Sequence, residues 1–296
     1  MLAAVSLPAP LEGEEEAPPA TRSPAPRALD RARYGLYPPG STFKVVTAMA
    51  ALRKDPALTQ KTYECVRLPD GRVGNFIKGS NRPIRDDEQD QAAHGTVNME
   101  RGITVSCNAY FAQLGTYDVG AQALFETAKL LGIAAAAPDT AEQLKKSLPQ
   151  SSYGQGQVVA SPFQMARVAA TVANGGTMPA GRWLTDENNA RTSAPAAVMS
   201  AEAAQTLGRF MREVVTGGTG RRAAAAGVAV AGKTGTAELA DAPSHAWFIG
   251  FAPYGAGPRK IALSVLVENG VYGGTAAAPA AAEIVNAAQK LGLLQP

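Results

Sequence analysis

The chain has 296 residues, of which 46% are hydrophobic and 18% charged, so it can bury one or two globular cores. Its net charge is only +3, and no run of lysines and arginines interleaved with aromatic residues is present, which argues against nucleic-acid binding. The weakly basic balance, with a pI near 8.8, is instead compatible with an anionic polymer as partner. No apolar run approaches the ~20 residues of a membrane helix, and no signal peptide is visible.

Cysteine and histidine are scarce, which limits the metal and redox chemistry that we expect. Two thiols, Cys65 and Cys107, are too few for a disulfide scaffold or a cysteine-built zinc site. They can pair in an oxidising compartment or remain free and buried. His94 and His245 are interpreted as loop or core histidines. We therefore expect neither a cofactor nor a metal ion.

The first thirty residues differ in composition from the rest. Leu2 to Val5 form a short apolar run that predicts a strand, and residues 11–27 are rich in Glu and Pro, which predicts a mobile loop. We interpret residues 1–30 as a strand remnant with this loop, and residues 31–296 as one folded domain.

A candidate nucleophile follows the Pro38-Pro39-Gly40 segment. These three residues cannot lie inside a helix, so a helix should begin near Ser41 and end at Asp55-Pro56. Ser41 and Lys44, three residues apart, then share a helix face. Unpaired N–H groups and the positive end of the dipole at a helix start can stabilise an oxyanion, which points to acyl transfer. Taken alone, Ser41 fits a simple N-cap equally well.

The remaining patterns predict a helical middle and a strand-rich end. Pro69-Asp70-Gly71 indicates a hairpin turn, and the polar, acidic residues 79–95 are interpreted as surface loop and not as catalytic carboxylates. Strands are predicted from Val228, over Trp247 to Phe251 and over Ile261 to Val267, followed by a helix with Ile284, Ala287, Ala288 and Leu291 on its apolar face. Helices are predicted at about 97–105, 109–115 and 119–131, from Ser161-Pro162 to Asn174, and from Ser200 to about Val215. This order favours an α/β (α+β) fold with an antiparallel sheet covered by helices.

Two further short motifs complete a constellation. Ser106-Cys107-Asn108 lies between two predicted helices, and Lys233-Thr234-Gly235 lies in the strand that should begin near Val228. Strand alternation places Thr234 and Thr236 on one face and Lys233 on the other. An S-x-x-K, an S-x-N and a K-T-G in this order are unlikely to coincide by chance, and they form a set known from serine acyltransferases.

With these motifs the chain closely resembles the transpeptidase domain of class B penicillin-binding proteins. The resemblance implies the penicilloyl-serine transferase fold, in which an all-helical subdomain packs on a five-stranded antiparallel sheet with the site between them. In that family a strand precedes the one at Leu2 to Val5, so we expect the chain to be a fragment of a longer, membrane-anchored protein. The similarity covers Tyr37–Lys44, His94-Gly95, Ser106–Phe111, Tyr153–Gly156, Asn174–Gly176, Gly218–Gly220, Ala231–Glu238 and His245–Pro253.

The resemblance also implies a role for each motif residue. Ser41 is the expected nucleophile, Lys44 its base, Ser106 a proton relay and Asn108 a holder of a substrate amide. Lys233 supplies positive charge toward Ser106, Thr234 and Thr236 bind the terminal carboxylate, and Gly235 lets the substrate lie against the strand. The N–H groups of Ser41 and Thr236 are the expected oxyanion hole.

The implied reaction is cross-linking of peptidoglycan stem peptides that end in D-Ala-D-Ala, with β-lactams as covalent inhibitors. The implied location is the extracytoplasmic face of the bacterial membrane, with a membrane-embedded glycan polymerase as partner of the parent protein and no nucleic acid.

Two other functions are compatible with the same acylation chemistry. A serine β-lactamase would hydrolyse its acyl-enzyme quickly; one class of these enzymes needs a deacylating glutamate, for which Asp186 to Asn189 offers no convincing match. A penicillin-sensing or scaffolding domain would be acylated without turning over peptide. The lifetime of a penicilloyl-enzyme distinguishes a β-lactamase from a transpeptidase. Cross-linking of peptide distinguishes a transpeptidase from a sensor or scaffold.

Overall fold

The computed structural model describes residues 2–7, 30–78, 80, 82–181, 194–255 and 257–295. Its main sheet, in this described part, has three antiparallel strands in sequence order. Strands β7 (Ala231–Ala237), β8 (His245–Ala252) and β9 (Ile261–Val267) pair in register, with Lys233 opposite Ile249 and Thr236 opposite Ala246. Because β8 is the centre, β7 is an edge strand, and it carries the Lys-Thr-Gly motif.

A helical region packs beside this sheet, around a helix that is buried almost throughout. This helix, α2, spans Lys44–Lys54, and all of its residues from Lys44 to Leu52 are buried, which explains its apolar sequence. It ends where Asp55 adopts an extended conformation before Pro56, as predicted. The other helices are α1 (Arg31–Tyr34), α3 (Met99–Thr104), α4 (Asn108–Leu114), α5 (Ala121–Leu130), α6 (Ala141–Lys145), α7 (Leu148–Ser151), α8 (Pro162–Ala173), α9 (Ala201–Thr216) and α10 (Gly273–Lys290).

A small four-stranded sheet follows α2 and confirms the predicted hairpin. Strands β1 (Tyr63–Arg67) and β2 (Val73–Phe76) are antiparallel and flank the Pro-Asp-Gly turn. Strands β3 (Pro83–Arg85) and β4 (Gly95–Val97) complete the order β3-β2-β1-β4. The segment between β3 and β4 lies beside the S-x-N motif, because Asp86 in this segment accepts hydrogen bonds from the N–H groups of Asn108 and Ala109. The last two strands, β5 (Thr177–Met178) and β6 (Ala196–Ala197), form a separate pair.

Two hydrophobic cores share strand β8. Trp247, Ile249 and Phe251 point into the larger core with α2, α4, α8 and α9. The alternate residues Ala246 and Phe248 point into a smaller core that is covered by α10. Both faces of the central strand are thus buried, which accounts for its almost unbroken apolar sequence.

The α+β class and the helical middle are confirmed, and four sequence-based expectations are wrong in detail. Residues 2–6 have no strand assignment, with Leu2 and Val5 each 74% exposed, so the described main sheet has three strands and not five. Strand β7 begins at Ala231 and not near Val228, since Val228 forms a bridge with Ala225 instead. The predicted mobile loop at 11–27 lies outside the described residues.

The buried face of α10 also differs from the prediction. Val285 is fully buried together with alanines such as Ala278 and Ala281, whereas Ile284 is 43% and Leu291 73% exposed. The small residues are buried because the sheet approaches this helix closely. Among the described residues, no helix is long and apolar enough to span a bilayer.

Candidate active site

Ser41 lies in a single 3-10 turn, Gly40–Phe43, that leads directly into α2. Its side chain caps no backbone N–H there, so the simple N-cap interpretation does not apply. Two contacts fix this turn: Trp247 Nε1 donates to the carbonyl of Pro38 at 3.0 Å, and the N–H of Gly40 donates to the carbonyl of Gly154 at 3.0 Å.

Glycine is required at both positions of the second contact. Gly40 has a φ of +52°, and a Cβ there would lie 2.5 Å from the carbonyl oxygen of Thr236 on β7. Gly154 has a φ of +85°, and a Cβ there would lie 1.9 Å from the carbonyl oxygen of Gly40. The close packing of these backbones brings the nucleophile beside strand β7.

Lys44 is fully buried and links the first two motifs. Its Nζ lies 2.8 Å from Ser41 Oγ, 2.6 Å from Asn108 Oδ1 and 3.1 Å from Ser106 Oγ, and it also contacts the carbonyl oxygen of Ser106. Burial lowers the pKa of Lys44 to about 8, although Asp86 and Cys107 act in the opposite direction. About a tenth of this amine is therefore neutral at pH 7, and the neutral fraction rises toward alkaline pH.

Lys233 connects the third motif to the second. Its Nζ lies 2.8 Å from Ser106 Oγ and 3.0 Å from the carbonyl oxygen of Thr234. Burial, and then the nearby charge of Lys44, holds the pKa of Lys233 well below its usual range. The Ser106 hydroxyl thus lies between two buried lysines, as the sequence predicted for Lys233.

The S-x-N motif has a strained backbone that a buried carboxylate supports. Ser106 has a φ of 63°, an unfavourable conformation for a residue with a Cβ. Asp86 is 2% exposed, and its Oδ1 accepts hydrogen bonds from the N–H groups of Asn108 and Ala109, the latter at 3.0 Å. The interpretation of residues 79–95 as surface loop is therefore wrong for Asp86. In the sequence Asp86 stands among other acidic residues, and nothing there distinguishes it as buried.

Strand β7 presents the hydroxyls of Thr234 and Thr236 to the cleft, and Gly235 makes room for the nucleophile turn. Thr234 Oγ1 lies 2.5 Å from Thr219 Oγ1, and Thr234 and Thr236 line the cleft. A Cβ on Gly235 would approach Thr42 Cγ2 to 2.8 Å and the carbonyl oxygen of Pro39 to 3.0 Å. The absent side chain therefore lets the nucleophile turn pack on β7, and Gly235 also lines the cleft.

These residues border one cleft of about 300 Å³ between the helical region and the sheet. Ser41, Ser106 and Asn108 lie on one side, and Thr234 and Thr236 on the other. Tyr153 and Gln155 also line the cleft, and so do Arg221, Arg222 and Tyr272, which sequence reasoning missed. The sequence feature that could have indicated the two arginines is the Gly218-Thr219-Gly220 segment, which directly precedes them.

One group of donor atoms in the described residues is close enough to hold a metal ion. It comprises Cys65, Asp86, His94 and Cys107. The only two cysteines of the chain thus lie together, both as free thiols in the structure.

The geometry corresponds to a known family. The family model of the penicillin binding protein transpeptidase domain matches residues 11–286. The chain belongs to this family.

Similar proteins agree with this membership. The peptidoglycan D,D-transpeptidase PbpA of Mycobacterium tuberculosis is 32% identical over 294 residues, which cover 90% of this chain and 58% of that protein. MrdA of Acinetobacter baumannii, also a peptidoglycan D,D-transpeptidase, is 29% identical, with 84% of this chain and 42% of that protein covered. The chain therefore spans about half the length of these curated relatives.

Among solved structures, the ceftriaxone acyl-enzyme complex of penicillin-binding protein A from M. tuberculosis has a TM-score of 0.69 at 32% identity. The match covers 90% of this chain and 64% of that one. PBP2 of Pseudomonas aeruginosa, in complex with WCK 5153, has a TM-score of 0.70 at 26% identity, covering 88% of this chain and 60% of that one.

Proposed function

We propose that this chain is the catalytic domain of a peptidoglycan D,D-transpeptidase that β-lactams inhibit by acylating Ser41. The observation that carries the proposal is the contact of 2.8 Å between Ser41 Oγ and the buried Lys44 amine, whose pKa is lowered to about 8. The names of the relatives and the drug acyl-enzyme of one similar structure support the same reaction class.

Acylation begins with the proton of Ser41. A neutral lysine amine has two N–H donors and one lone pair. The Ser106 carbonyl oxygen and Asn108 Oδ1 can only accept, so they take the two donors of Lys44. Its lone pair is then free to accept the Ser41 proton while Oγ attacks the carbonyl carbon of the penultimate D-Ala.

The developing oxyanion is stabilised by backbone donors. We assign the N–H groups of Ser41 and Thr236 to this role, because the packing of Gly40 on Thr236 brings these two segments together. When the intermediate collapses, the C–N bond to the terminal D-Ala breaks. The leaving nitrogen takes a proton through the Ser106 hydroxyl, which lies within 3.1 Å of Lys44 Nζ and 2.8 Å of Lys233 Nζ.

The acyl donor is positioned by the edge strand. The hydroxyls of Thr234 and Thr236 bind the free carboxylate of the stem peptide, and the Lys233 amine, which burial and Lys44 shift toward its neutral form by lowering its pKa, lies behind them. Asn108 holds a substrate amide. The acyl-enzyme is resolved when the amine of a second stem peptide attacks the ester carbon, which forms the cross-link and frees Ser41.

We place the domain on the extracytoplasmic face of the bacterial membrane. The glycan strands on which it acts would come from a membrane-embedded polymerase that associates with the parent protein. Both statements extend from the family to this chain and rest on the reaction proposed above.

A covalent labelling experiment tests the nucleophile. Fluorescent penicillin should label the wild-type chain, and Ser41→Ala should abolish labelling. Ser200→Ala is the matched control, since Ser200 also lies at a helix start but outside the cleft. Labelling that persists in Ser41→Ala would refute the assignment.

Two further measurements separate the reaction from its alternatives. Release of D-Ala together with cross-linking of lipid-linked precursor is the expected result. A penicilloyl-enzyme that turns over within seconds would identify a β-lactamase instead. Labelling without any peptide cross-linking by the full-length parent would identify a sensor or scaffold.

A further inference from the structure

Two arginines, Arg221 and Arg222, line the cleft and take no part in the chemistry proposed above. They are the only arginines or lysines among the described residues that border the cleft. Both are exposed, and within the described part of the chain neither side chain forms an ion pair or a hydrogen bond. Because a guanidinium group stays charged at every physiological pH, the pair offers permanent positive charge to a ligand in the cleft.

A tightly packed backbone holds the arginines beside strand β7. The pair begins a 3-10 turn that ends at the fully buried Ala223. The segment before it is closely packed too, since a Cβ on Gly218 would lie 2.4 Å from a carbonyl oxygen of α3. Thr219, in that segment, contacts Thr234 on β7 through hydroxyl oxygens 2.5 Å apart. Arg221 is two residues further along, so its Cα lies within about 7.6 Å of the Thr219 Cα, which is comparable with the length of an arginine side chain.

Without these arginines the proposed carboxylate site has no permanent cation. Thr234 and Thr236 offer neutral hydroxyls, and burial holds the pKa of Lys233 well below its usual range. A charged donor binds a carboxylate about twice as strongly as a neutral donor does. The two arginines, at the Thr234 end of the strand, therefore supply the charge that this site lacks.

Three carboxylates share the cleft with the arginines. Glu238 follows Thr234 by four residues, which corresponds to about 13 Å along an extended strand. Asp87 and Asp90 belong to the segment between β3 and β4, and no ion pair joins either of them to the arginines in the described structure. Both guanidinium groups are thus available to an anionic group of the substrate.

The place that D-Ala vacates must also receive the amine that resolves the acyl-enzyme. This step is acylation in reverse with a different amine: the attacking nitrogen bonds to the ester carbon, the C–O bond to Ser41 breaks, and the proton lost by nitrogen returns to Ser41 Oγ. By microscopic reversibility the attacking nitrogen approaches along the path by which the D-Ala nitrogen left. A carboxylate on the carbon beside that nitrogen then lies where the D-Ala carboxylate lay.

We propose that Arg221 and Arg222 bind the carboxylate of the departing D-Ala and then that of the acceptor, and so select an acceptor whose amine-bearing carbon also carries a free carboxylate. In a stem peptide this is a diamino-dicarboxylic residue with the configuration of D-Ala at the reacting carbon, and not a lysine, whose side-chain amine has no carboxylate beside it. The inference rests on the proposed transpeptidation and specifies its acceptor.

Transfer to two matched amines tests the assignment. Isotopically labelled D-Ala and D-alaninamide differ in the charge beside the amine, and mass spectrometry measures their transfer to a donor peptide that ends in D-Ala-D-Ala. At equal concentrations of neutral amine, the wild-type chain should favour D-Ala about tenfold or more. Arg221→Gln and Arg222→Gln should each lower this ratio, the double variant should remove it, and Arg221→Lys should keep part of it.

The matched control is Arg209→Gln, since Arg209 is an exposed arginine on α9 that does not line the cleft. It should keep the wild-type ratio. Because each variant is compared with itself on two amines, the ratio is insensitive to the fraction of folded protein. No preference in the wild type, or an unchanged ratio in the double variant, would overturn the proposal.

Penicillin acylation distinguishes a failure of this inference from a failure of the proposed function. Penicillin carries a carboxylate and its methyl ester does not, so the double variant should lose about tenfold or more of the penicillin rate relative to the ester rate. An unchanged ratio of the two rates would refute carboxylate binding by the arginines while Ser41 acylation stands. A wild-type chain that is acylated but transfers to neither amine would refute both the proposed transpeptidation and the acceptor assignment.

Discussion

Lys44 is the proposed base, and its surroundings shift its pKa in opposite directions. The side chain is fully buried, which favours the neutral amine, while Asp86 and other acidic groups favour the ammonium form. Burial wins, and the pKa falls to about 8. The amine is therefore in its active form only toward the alkaline side of neutrality.

The pH dependence of acylation should report this pKa. Because a lowered pKa leaves Lys44 protonated below about 8, the second-order rate of penicillin acylation should fall about tenfold per pH unit below that value and level off above it. Stopped-flow measurement with fluorescent penicillin checks this. Lys44→Met should lose about 100-fold or more of the rate. Lys54→Met, on the same helix but exposed, is the control, and a flat profile for the wild type would contradict the role of Lys44.

Ser106 combines a functional hydroxyl with an unfavourable backbone, and two variants separate these properties. Ser106→Ala removes the hydroxyl and keeps the strain at φ 63°, whereas Ser106→Gly removes both. Glycine should therefore be more stable than alanine by about 1 kcal/mol, since relief of strain exceeds its cost in the unfolded chain. Urea unfolding measures the difference. Acylation should be slow in both variants, and an alanine variant as stable as the glycine variant would show that the strain is absent.

At the scale of elements, the site depends on how closely the nucleophile turn packs on β7. Gly235 contributes no side chain where Thr42 and the Pro39 carbonyl pack against the strand. On the turn, Gly40 likewise has no side chain, and its backbone lies close to the carbonyl oxygen of Thr236 on β7. The relative position of Ser41 and the cleft-lining Thr234 and Thr236 is therefore set by two glycines on two elements.

Gly235→Ala should slow acylation about tenfold or more, because its Cβ would displace Thr42 and with it Ser41. The loss of stability should be smaller, about 1–3 kcal/mol as for other overpacked sites. Gly217→Ala provides the control, as nothing lies within 4 Å of a Cβ there. Acylation kinetics and urea unfolding of both variants check the prediction. Equal kinetics in the two variants would show that β7 does not position the nucleophile.

The elements that the sequence predicted are those with local causes. Ser161 caps α8 in a capping box and Ser200 caps α9, so both helix starts were readable from short segments. The three active-site motifs are equally local. Contacts between distant segments were not readable: Asp86 looked like its exposed neighbours, because its partners Cys65, His94 and Cys107 lie on three other segments. The buried face of α10 depends likewise on how closely the sheet approaches it.

The whole molecule is organised around β8, which contributes alternate side chains to both hydrophobic cores. If β8 were lost, both hydrophobic cores would be exposed at once. The helical region and the α10 side of the sheet are thus coupled through one element. We expect them to unfold together.

Denaturant unfolding should therefore follow a single transition. In a Trp183→Phe variant, emission reports Trp247, which is fully buried on the larger-core face of β8. Its midpoint in urea should coincide with that of far-UV circular dichroism, which follows all helices. An emission change that precedes the loss of helix would show that the two cores unfold separately.

The contact between Gly40 and Gly154 restricts how this cleft can change under selection by drugs. A side chain at either position would push the backbone that carries Ser41, and the natural reaction would be lost together with drug sensitivity. Tyr153 and Gln155, on either side of Gly154, border the cleft with their side chains. If the proposed function is correct, we expect heritable loss of drug affinity to arise at such bordering residues, since they can reshape the entrance without moving the main chain at Gly40 and Gly154.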